Sequence, residues 1–274
     1  MTGDERPKQF CPVLGAQTLL DQTRRRSARV IAPDHTLVVL VATQERFYAP
    51  LVGDLPTHCV VVQPENRGTA AAILYALVRL TAIAPVAPVA IFPSDHYVAD
   101  DERFMAYVDG AFDVLESRPD LLVLLGITPD SGEVKPEWIE IGPGIPGPWQ
   151  WPVLRVRHFW NNPSPATARA LRAQGCLWSS SVMVAHSSVI LSAIRATLPA
   201  LVEAFGPIRS RLTTPWSAKD LRTLYASLPS TDFSEQVLAT SPPNLAALPL
   251  TGVGWSDLRE PQHVTATLAR MATE

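Results

Sequence analysis

Short, strongly apolar runs that alternate with helical patterns constrain the fold of this chain more than any other feature. Three such runs come early: TLVVLVAT at 36–43, CVVVQ at 59–63 and VAIFP at 89–93. Runs of this length without polar alternation are typical of strands that are buried on both faces. They predict a central sheet that is covered by helices on both sides.

Apolar side chains recur at helical spacing in the segments that follow the second and third runs. The first set is Ile73, Leu77, Leu80 and Ala84 in residues 69–84, and the second is Phe104, Val108, Phe112 and Leu115 in residues 101–116. A fourth apolar run lies at 121–125. The resulting β-α-β-α-β order predicts a mainly parallel mixed sheet, with ligands bound beyond the carboxyl ends of its strands.

The rest of the chain predicts one continuous domain over residues 1–274, with a substrate-facing lobe at 131–186. Residues 131–152 are dense in Gly, Pro and Trp, and strands are predicted at 153–159 and 176–186 around a helix at Pro165–Ala173. Further helices are predicted at 187–205, 217–227 and 261–271, with a strand at 246–250.

Composition excludes several classes of partner. The chain has 23 basic and 26 acidic residues, a formal net charge of -3 and no long basic run, so we expect no binding to nucleic acid. The polar N-terminus and the short, proline-broken apolar stretches predict no signal peptide and no membrane anchor. Three widely spaced cysteines without a C-x-x-C pair favour a reducing cytoplasm.

Common enzyme motifs provide little evidence about the function of this chain. The letters GPGIPG at 142–147 match a dinucleotide fingerprint, but they lack its strand-to-helix context. No P-loop, nucleophile elbow or H-E-x-x-H helix occurs, and the six scattered histidines predict structural or surface roles rather than zinc ligation.

Two carboxylates stand where metal ligands are expected. Asp95, preceded by Ser94, follows the VAIFP run, and Asp257 follows the predicted late strand. Mg²⁺ is commonly held by one or two carboxylates together with substrate phosphates. The alternative for Asp95 is an ordinary turn residue.

Two further segments have a functional and a structural interpretation. Residues 64–69, PENRGT, join the second run to a helix. In the functional interpretation, the first N–H groups of this helix bind oxygen atoms of a nucleotide. In the structural interpretation, Thr69 is an ordinary N-cap of the helix. Lys8 lies in a short N-terminal segment, where a solvated surface lysine is the ordinary interpretation.

Taken in order, these segments resemble the mannose-1-phosphate guanylyltransferases, members of the sugar-phosphate nucleotidyltransferase family. The resemblance covers nearly the whole chain and is carried by PKQFCPVLG, VVVQPENRGTAAAI, VAIFPSDHYVADDERF, LLVLLGITPD, WIEIG, GCLWSSSVMV, DFSEQVL and GVGWSDL. It implies a three-layer α/β/α, Rossmann-like (GT-A-like) nucleotidyltransferase fold. It also implies synthesis of GDP-mannose and pyrophosphate from GTP and a sugar 1-phosphate, with Mg²⁺ as cofactor.

The resemblance assigns roles by position. Asp95 and Asp257 would hold the metal, and Lys8 would face the nucleotide's phosphates. The nucleotide pocket would be formed by Glu65, Asn66, Arg67, Gly68, Thr69 and Ser94, and the sugar pocket in the 131–186 lobe by Glu140, Asn161, Asn162 and Ser179. A cytoplasmic protein is implied, and a homo-oligomer is left open.

This chain departs from the family pattern in several places. Family members open with a strand and a G-G-x-G-T-R-L-x-P loop, for which the sequence shows no counterpart before Pro7-Lys8. We expect neighbouring strands to lack a partner there, and a start assigned too far downstream is one hypothesis. Comparing the native protein's intact mass with 29.8 kDa would test it.

Sugar-site motifs differ as well. The family's F-x-E-K-P is FWNNP at 159–163, its Y-G-Y-I-E is KPEWIE at 135–140, its W-N-S-G is WSSS at 178–181, and Arg259 replaces the Gly of W-S-D-x-G. These changes leave a second hypothesis, an inactive paralogue that binds a nucleotide sugar or partners an active homologue. A glycosyltransferase of similar topology is a third, which the PKQF and PENRGTA strings disfavour.

Overall fold

The computed structural model describes residues 6–129, 135–207 and 218–271. Its strands are β1 Val38–Val41, β2 Val60–Gln63, β3 Pro88–Ile91, β4 Leu122–Ile127, β5 Glu137–Ile145, β6 Val153–Asn161, β7 Leu177–His186 and β8 Leu245–Leu250. Its helices are α1 Leu19–Ser27, α2 Glu45–Val52, α3 Gly68–Thr81, α4 Asp101–Ser117, α5 Pro165–Ala173, α6 Ser187–Thr197, α7 Pro199–Ala204, α8 Ala218–Ser227, α9 Phe233–Gln236 and α10 Pro261–Met271.

The strands form two sheets. β1 and β2 make a parallel pair, and the other six strands follow the order β3-β7-β4-β8-β6-β5. Within the described residues, β1 and β3 share no hydrogen-bonded ladder. The sheet is therefore divided between β1 and β3.

The α/β class and the mixed sheet are confirmed, but parallel pairing is a smaller part of the sheet than expected. Besides β1 with β2, only β4 with β8 pairs parallel among the described strands. The remaining pairings are antiparallel, because β6 and β7 run opposite to β3, β4, β5 and β8.

Strand β4 shows the layered architecture most directly. All six of its residues are buried, and they alternate between two cores. Leu122 and Leu124 belong to a core built with α3 and α6, whereas Val123 and Leu125 belong to one built with α4 and α5. Helices thus cover both faces of the six-stranded sheet, as a three-layer fold requires.

Most predicted elements lie within a few residues of the observed ones, with clear exceptions. The single helix predicted at 187–205 is wrong, because Leu198 leaves helical geometry (φ -128°, ψ 56°) before Pro199 and separates α6 from α7. α1, α2 and β5 had no assignment from sequence. β5 contains Gly142 and Gly144, so the GPGIPG letters begin inside a strand rather than at a helix start.

Strand direction places three carboxyl ends together. β7 is antiparallel to both β3 and β4, so β3 and β4 run the same way, and β8 is parallel to β4. The carboxyl ends of β3, β4 and β8 therefore lie at one edge of the sheet, the usual ligand position in α/β proteins. None of the helices in the described ranges is both long and apolar enough to cross a membrane.

Candidate functional site

Lys8 joins the two predicted carboxylates. It lies in a short 3₁₀ turn, Lys8–Phe10, which the buried Phe10 anchors in a small core with β1 and α2. Its ammonium is 3.1 Å from Asp95 Oδ2 and donates a hydrogen bond of 2.8 Å to the backbone carbonyl of Asp257. Three residues from distant parts of the sequence thus meet at the carboxyl ends of β3 and β8.

A backbone bridge holds the two acidic loops against each other. Tyr97 and Ser256 exchange two backbone hydrogen bonds, of 2.9 and 3.0 Å, directly beside Asp95 and Asp257. Gly254 (φ 59°) packs so closely on Ala99 that an added Cβ would lie 2.6 Å from the Ala99 Cβ. A glycine is therefore required for this approach.

Asp257 is the most enclosed acid of the site, with a side chain only 5% exposed. Its Oδ1 lies 2.9 Å from His263 Nδ1, accepts a 3.2 Å hydrogen bond from the Arg259 N–H, and is 3.5 Å from the Lys135 ammonium. Burial raises the pKa of Asp257, but Lys135, the Arg259 N–H and nearby histidines outweigh it and hold that pKa below its ordinary value. Asp257 is therefore a carboxylate at neutral pH.

Lys135 is buried between two indole rings. Its side chain is 3% exposed, and its ammonium lies 5.8 Å from the ring centroid of Trp178 and 5.6 Å from that of Trp255. Its backbone carbonyl accepts a 2.8 Å hydrogen bond from Trp138 Nε1. Aromatic faces attract a cation at this distance, so Lys135 is fixed at both ends.

A cleft opens beside these residues. It is lined by His96, Lys135, Pro136, Glu137, Ser179, Ser181, Trp255, Asp257 and Arg259. Glu137 accepts a 3.3 Å hydrogen bond from the Ser181 hydroxyl, and burial raises its pKa above the ordinary value. The floor of the cleft is thus polar and partly withdrawn from water.

His96 is neutral in this site. Burial lowers its pKa from 6.5 to about 4, although Asp95 and Asp257 oppose the shift. Its Nδ1 is buried without a hydrogen-bond partner, and its ring packs edge-on against Trp255 with the centroids 5.3 Å apart. The sequence analysis expected structural or surface roles for the histidines and did not predict the position of His96 beside Asp95.

The side chains of the PENRGT segment have partners within the segment and in residues 231–233. Asn66 Oδ1 accepts a 2.9 Å hydrogen bond from the Gly68 N–H, at the first residue of α3, and Glu65 is paired with Arg67 at 2.9 Å. The expected cap at Thr69 is wrong, because α3 begins one residue earlier. The Thr69 hydroxyl instead donates to Asp232 Oδ2 at 3.0 Å.

A short connection links this segment to the cleft. Thr231 N–H donates to the Arg67 carbonyl, and the Ala70 N–H donates to the Thr231 carbonyl, both at 3.0 Å. From the following helix, the Ser234 side chain hydrogen-bonds Glu137, which lines the cleft. The predicted nucleotide segment and the cleft are thus neighbours through residues 231–234.

The predicted sugar residues are distributed unevenly. Ser179 lines the cleft, and its hydroxyl accepts a 3.1 Å hydrogen bond from the Ser181 N–H. Glu140 accepts a 3.0 Å hydrogen bond from Trp160 Nε1 on β6. Asn162 donates its backbone N–H to the Pro136 carbonyl at 2.6 Å and its side-chain amide to Asn161 at 3.1 Å. Only Ser179 of the four is among the cleft-lining residues.

The expected Mg²⁺ does not fit the two carboxylates as they are arranged. Asp95 is paired with Lys8, and Asp257 Oδ1 already faces an ammonium, an imidazole nitrogen and a backbone N–H. A dication between them would lie against two lysines at close range, which costs free energy. No cluster of three or more metal-ligating side chains occurs in the part of the chain that the structure describes.

The sequence analysis missed Lys135, His263 and Arg259 as site residues. Lys135 follows the letters SGEV at 131–134, which match no motif, and only packing brings it to Asp257. His263 lies six positions after Asp257, in the first turn of α10. The available signal was a polar residue in the first turn of the helix that follows a predicted ligand.

Comparison with known proteins agrees with the resemblance. A xanthan biosynthesis protein, XanB, of Xanthomonas campestris pv. campestris is 31% identical over 203 residues, which cover 72% of this chain and 41% of the relative. A mannose-1-phosphate guanylyltransferase of Escherichia coli (strain K12) is 28% identical over 206 residues, covering 72% of this chain and 42% of the relative. No family model matches the chain.

A solved structure gives the same assignment. The mannose-1-phosphate geranyltransferase from Thermus thermophilus superposes with a TM-score of 0.79 at 26% identity, covering 93% of this chain and 70% of that one. The fold, with its acids and lysines at the carboxyl ends of β3 and β8, defines a Rossmann-like protein of the nucleotidyltransferase class. The chain belongs to the sugar-phosphate nucleotidyltransferase family. It spans about two fifths of the length of the curated relatives named above.

Proposed function

We propose that this protein transfers a nucleotidyl group from a nucleoside triphosphate to a sugar 1-phosphate and releases pyrophosphate. The substrates that the relatives' names favour are GTP and mannose 1-phosphate, with GDP-mannose as the product. The observation that carries the proposal is the meeting of Lys8, Asp95 and Asp257 at the carboxyl ends of β3 and β8.

The reaction needs position and charge rather than a covalent intermediate. An oxygen of the sugar phosphate attacks the α-phosphorus, a new P–O bond forms, and the bond between the α-phosphorus and the bridging oxygen breaks. Negative charge develops on the departing pyrophosphate. The Lys8 ammonium, which is only partly buried, is available to neutralise it, because electrostatic stabilisation of such charge is a major source of catalysis.

The cleft supplies the surface for the second substrate. In the proposed arrangement, the lobe formed by residues 131–186 contributes Glu137, Ser179 and Ser181 near the sugar phosphate. Arg259, which lines the same cleft, adds a guanidinium where the family motif has a glycine. It is suited to a phosphate oxygen, since guanidinium groups bind phosphate in a planar, two-point geometry.

The roles of Glu65 to Thr69 and Ser94 in nucleotide binding remain part of the proposal, as do those of Glu140, Asn161 and Asn162 in sugar binding. FWNNP at 159–163, with two amides in place of the family's Glu and Lys, favours the second hypothesis of an inactive nucleotide-sugar binder. We also propose a cytoplasmic location, because the family resemblance implies one.

The test is pyrophosphate release by the purified chain with GTP and mannose 1-phosphate, run with Mg²⁺ and with EDTA. Asp95→Asn, Asp257→Asn and Lys8→Met variants accompany it, with Asp54→Asn, an exposed site remote from the cleft, as control. Release that the three site variants abolish and the control retains supports the transferase. Absence of release together with measurable GDP-mannose binding by calorimetry would support the inactive binder instead.

A further inference from the structure

Beside Asp257 the site contains a second lysine. The five letters of the family's Y-G-Y-I-E sugar loop correspond to residues 136–140 here, and the residue directly before them is Lys135. The ammonium of that residue faces Asp257 Oδ1 at 3.5 Å, on the carboxylate where a divalent ion was expected. We propose that Lys135 is a built-in cation that takes the place of a divalent metal at Asp257.

The burial of the pair is the first argument. Both side chains are almost fully withdrawn from water, at 3% and 5% exposure. A buried carboxylate requires a compensating positive charge, and removing one partner of such a pair leaves an uncompensated charge. Lys135 meets the requirement of Asp257 without any ion from solution.

The second argument is how firmly Lys135 is held. Trp178 and Trp255 face its ammonium, and Trp138 binds its backbone carbonyl. A metal ion that enters the site would have to displace the Lys135 ammonium, although Lys135 is held at its ammonium and at its backbone carbonyl. This ammonium would also repel the ion at short range.

The third argument is the occupancy of the carboxylate itself. His263 Nδ1 and the Arg259 N–H contact the same oxygen as Lys135. Asp95, the other expected ligand, has Lys8 on its Oδ2. Each acid therefore already has its own lysine, and the pair has no need of a dication.

The test measures Mn²⁺ binding by electron paramagnetic resonance, using the full chain without substrate. The variants are Asp257→Asn, Lys135→Met and the double variant, and circular dichroism confirms folding of each. We expect the wild type and Asp257→Asn to bind Mn²⁺ equally weakly. Lys135→Met should gain one site that is at least about tenfold tighter, since a like charge has been removed, and the double variant should lose that gain.

Two results would overturn the proposal. One is a wild-type Mn²⁺ site that Asp257→Asn weakens, and the other is a folded Lys135→Met variant with no gain in affinity. If Lys135→Met does not fold, thermal unfolding of the wild type decides: a rise in Tm that saturates with Mg²⁺ and is absent in Asp257→Asn contradicts the proposal. Because no substrate is present, failure here is distinct from absence of pyrophosphate release.

Discussion

The Lys8 ammonium binds the backbone carbonyl of Asp257 across a sequence separation of 249 residues, at 2.8 Å. The same ammonium faces Asp95, so a single side chain ties the N-terminal turn to both acidic loops. The three residues therefore meet only when the N-terminal turn that contains Lys8 is packed beside the two acidic loops.

Removal of the Lys8 charge should affect turnover far more than stability. Loss of one charge-assisted contact to a developing phosphate charge costs about 2–4 kcal/mol, or roughly 30- to 1,000-fold in rate. We expect Lys8→Met to lower kcat by that range and Lys8→Arg to retain more activity, while Tm changes little. Steady-state pyrophosphate release and calorimetry measure both. Equal kcat in wild type and Lys8→Met would remove Lys8 from the chemistry.

The start of α3 should not tolerate a side chain at Gly68. This glycine has φ 84°, and an added Cβ would overlap the backbone of Thr231. We expect Gly68→Ala to lower the free energy of unfolding by more than the ~1–2 kcal/mol that a left-handed residue costs alone. Urea denaturation measures the difference.

Two glycines provide matched controls for that variant. Gly15 has φ 106° but no heavy atom near the added Cβ, so Gly15→Ala reports the backbone cost alone. Gly144 has neither restriction, and Gly144→Ala should be close to neutral. If Gly68→Ala lowered the free energy of unfolding no more than Gly15→Ala does, the close approach to Thr231 would make no contribution to the loss of stability.

The buried His96 should make the protein less stable in acid. Its pKa in the folded state is about 4, below 6.5 in the unfolded chain, so the unfolded state binds the extra proton first as pH falls. This contribution to stability is complete above pH 6.5 and decreases between 6.5 and about 4, by on the order of 3 kcal/mol in all.

Urea unfolding of wild type and His96→Gln at several pH values tests this. The variant should lose less stability than the wild type over that window, whereas His35→Gln, at an exposed histidine, should follow the wild type. Parallel curves for wild type and His96→Gln would show that another group carries the acid sensitivity.

The buried ion pair between α1 and α4 should stabilise the folded protein much more than a nearby ion pair on the surface. Arg26 is buried and lies 2.6 Å from Asp101, whereas Arg24 pairs with the exposed Asp54 at 2.7 Å. Breaking a buried pair costs about 3–5 kcal/mol, and a surface pair contributes about 0–1 kcal/mol. Asp101→Asn should therefore lower unfolding free energy far more than Asp54→Asn. Similar losses in thermal denaturation would contradict this difference.

Local sequence pattern was enough for elements that pack on one regular face. α4 was predicted within one residue of its observed end, because its apolar residues keep strict helical spacing. α1, with the sequence LLDQTRRRS, has too few apolar residues for such a pattern. It begins after Thr18, whose hydroxyl accepts a hydrogen bond from the Asp21 N–H, and it packs against α4. β5 was hidden because Gly and Pro interrupt its alternation.

From the residues alone, the site was predictable where an acid follows a strand, whereas Lys8 and Ser179 were assigned only through the family resemblance. Asp95 and Asp257 were found because each stands just beyond a strand's carboxyl end. Lys135 was not, since its importance comes from the packing of Trp178 and Trp255, which lie far from it in sequence. Long-range packing of this kind leaves no periodic signal in the chain.

The division of the sheet between β1 and β3 has a kinetic consequence for the site. One face of the β1–β2 pair lies in a small core to which Phe10 belongs, and Val61 on the other face belongs to the core built with α3 and α6. No strand ladder joins the pair to the six-stranded sheet within the described residues. Elements with few shared hydrogen bonds open locally before the rest of a protein. Since Phe10 is two residues from Lys8, we expect each local opening of the β1–β2 pair to move the Lys8 ammonium away from Asp95 and Asp257. The rate of amide hydrogen exchange in β1 and β2 would report how often these contacts break.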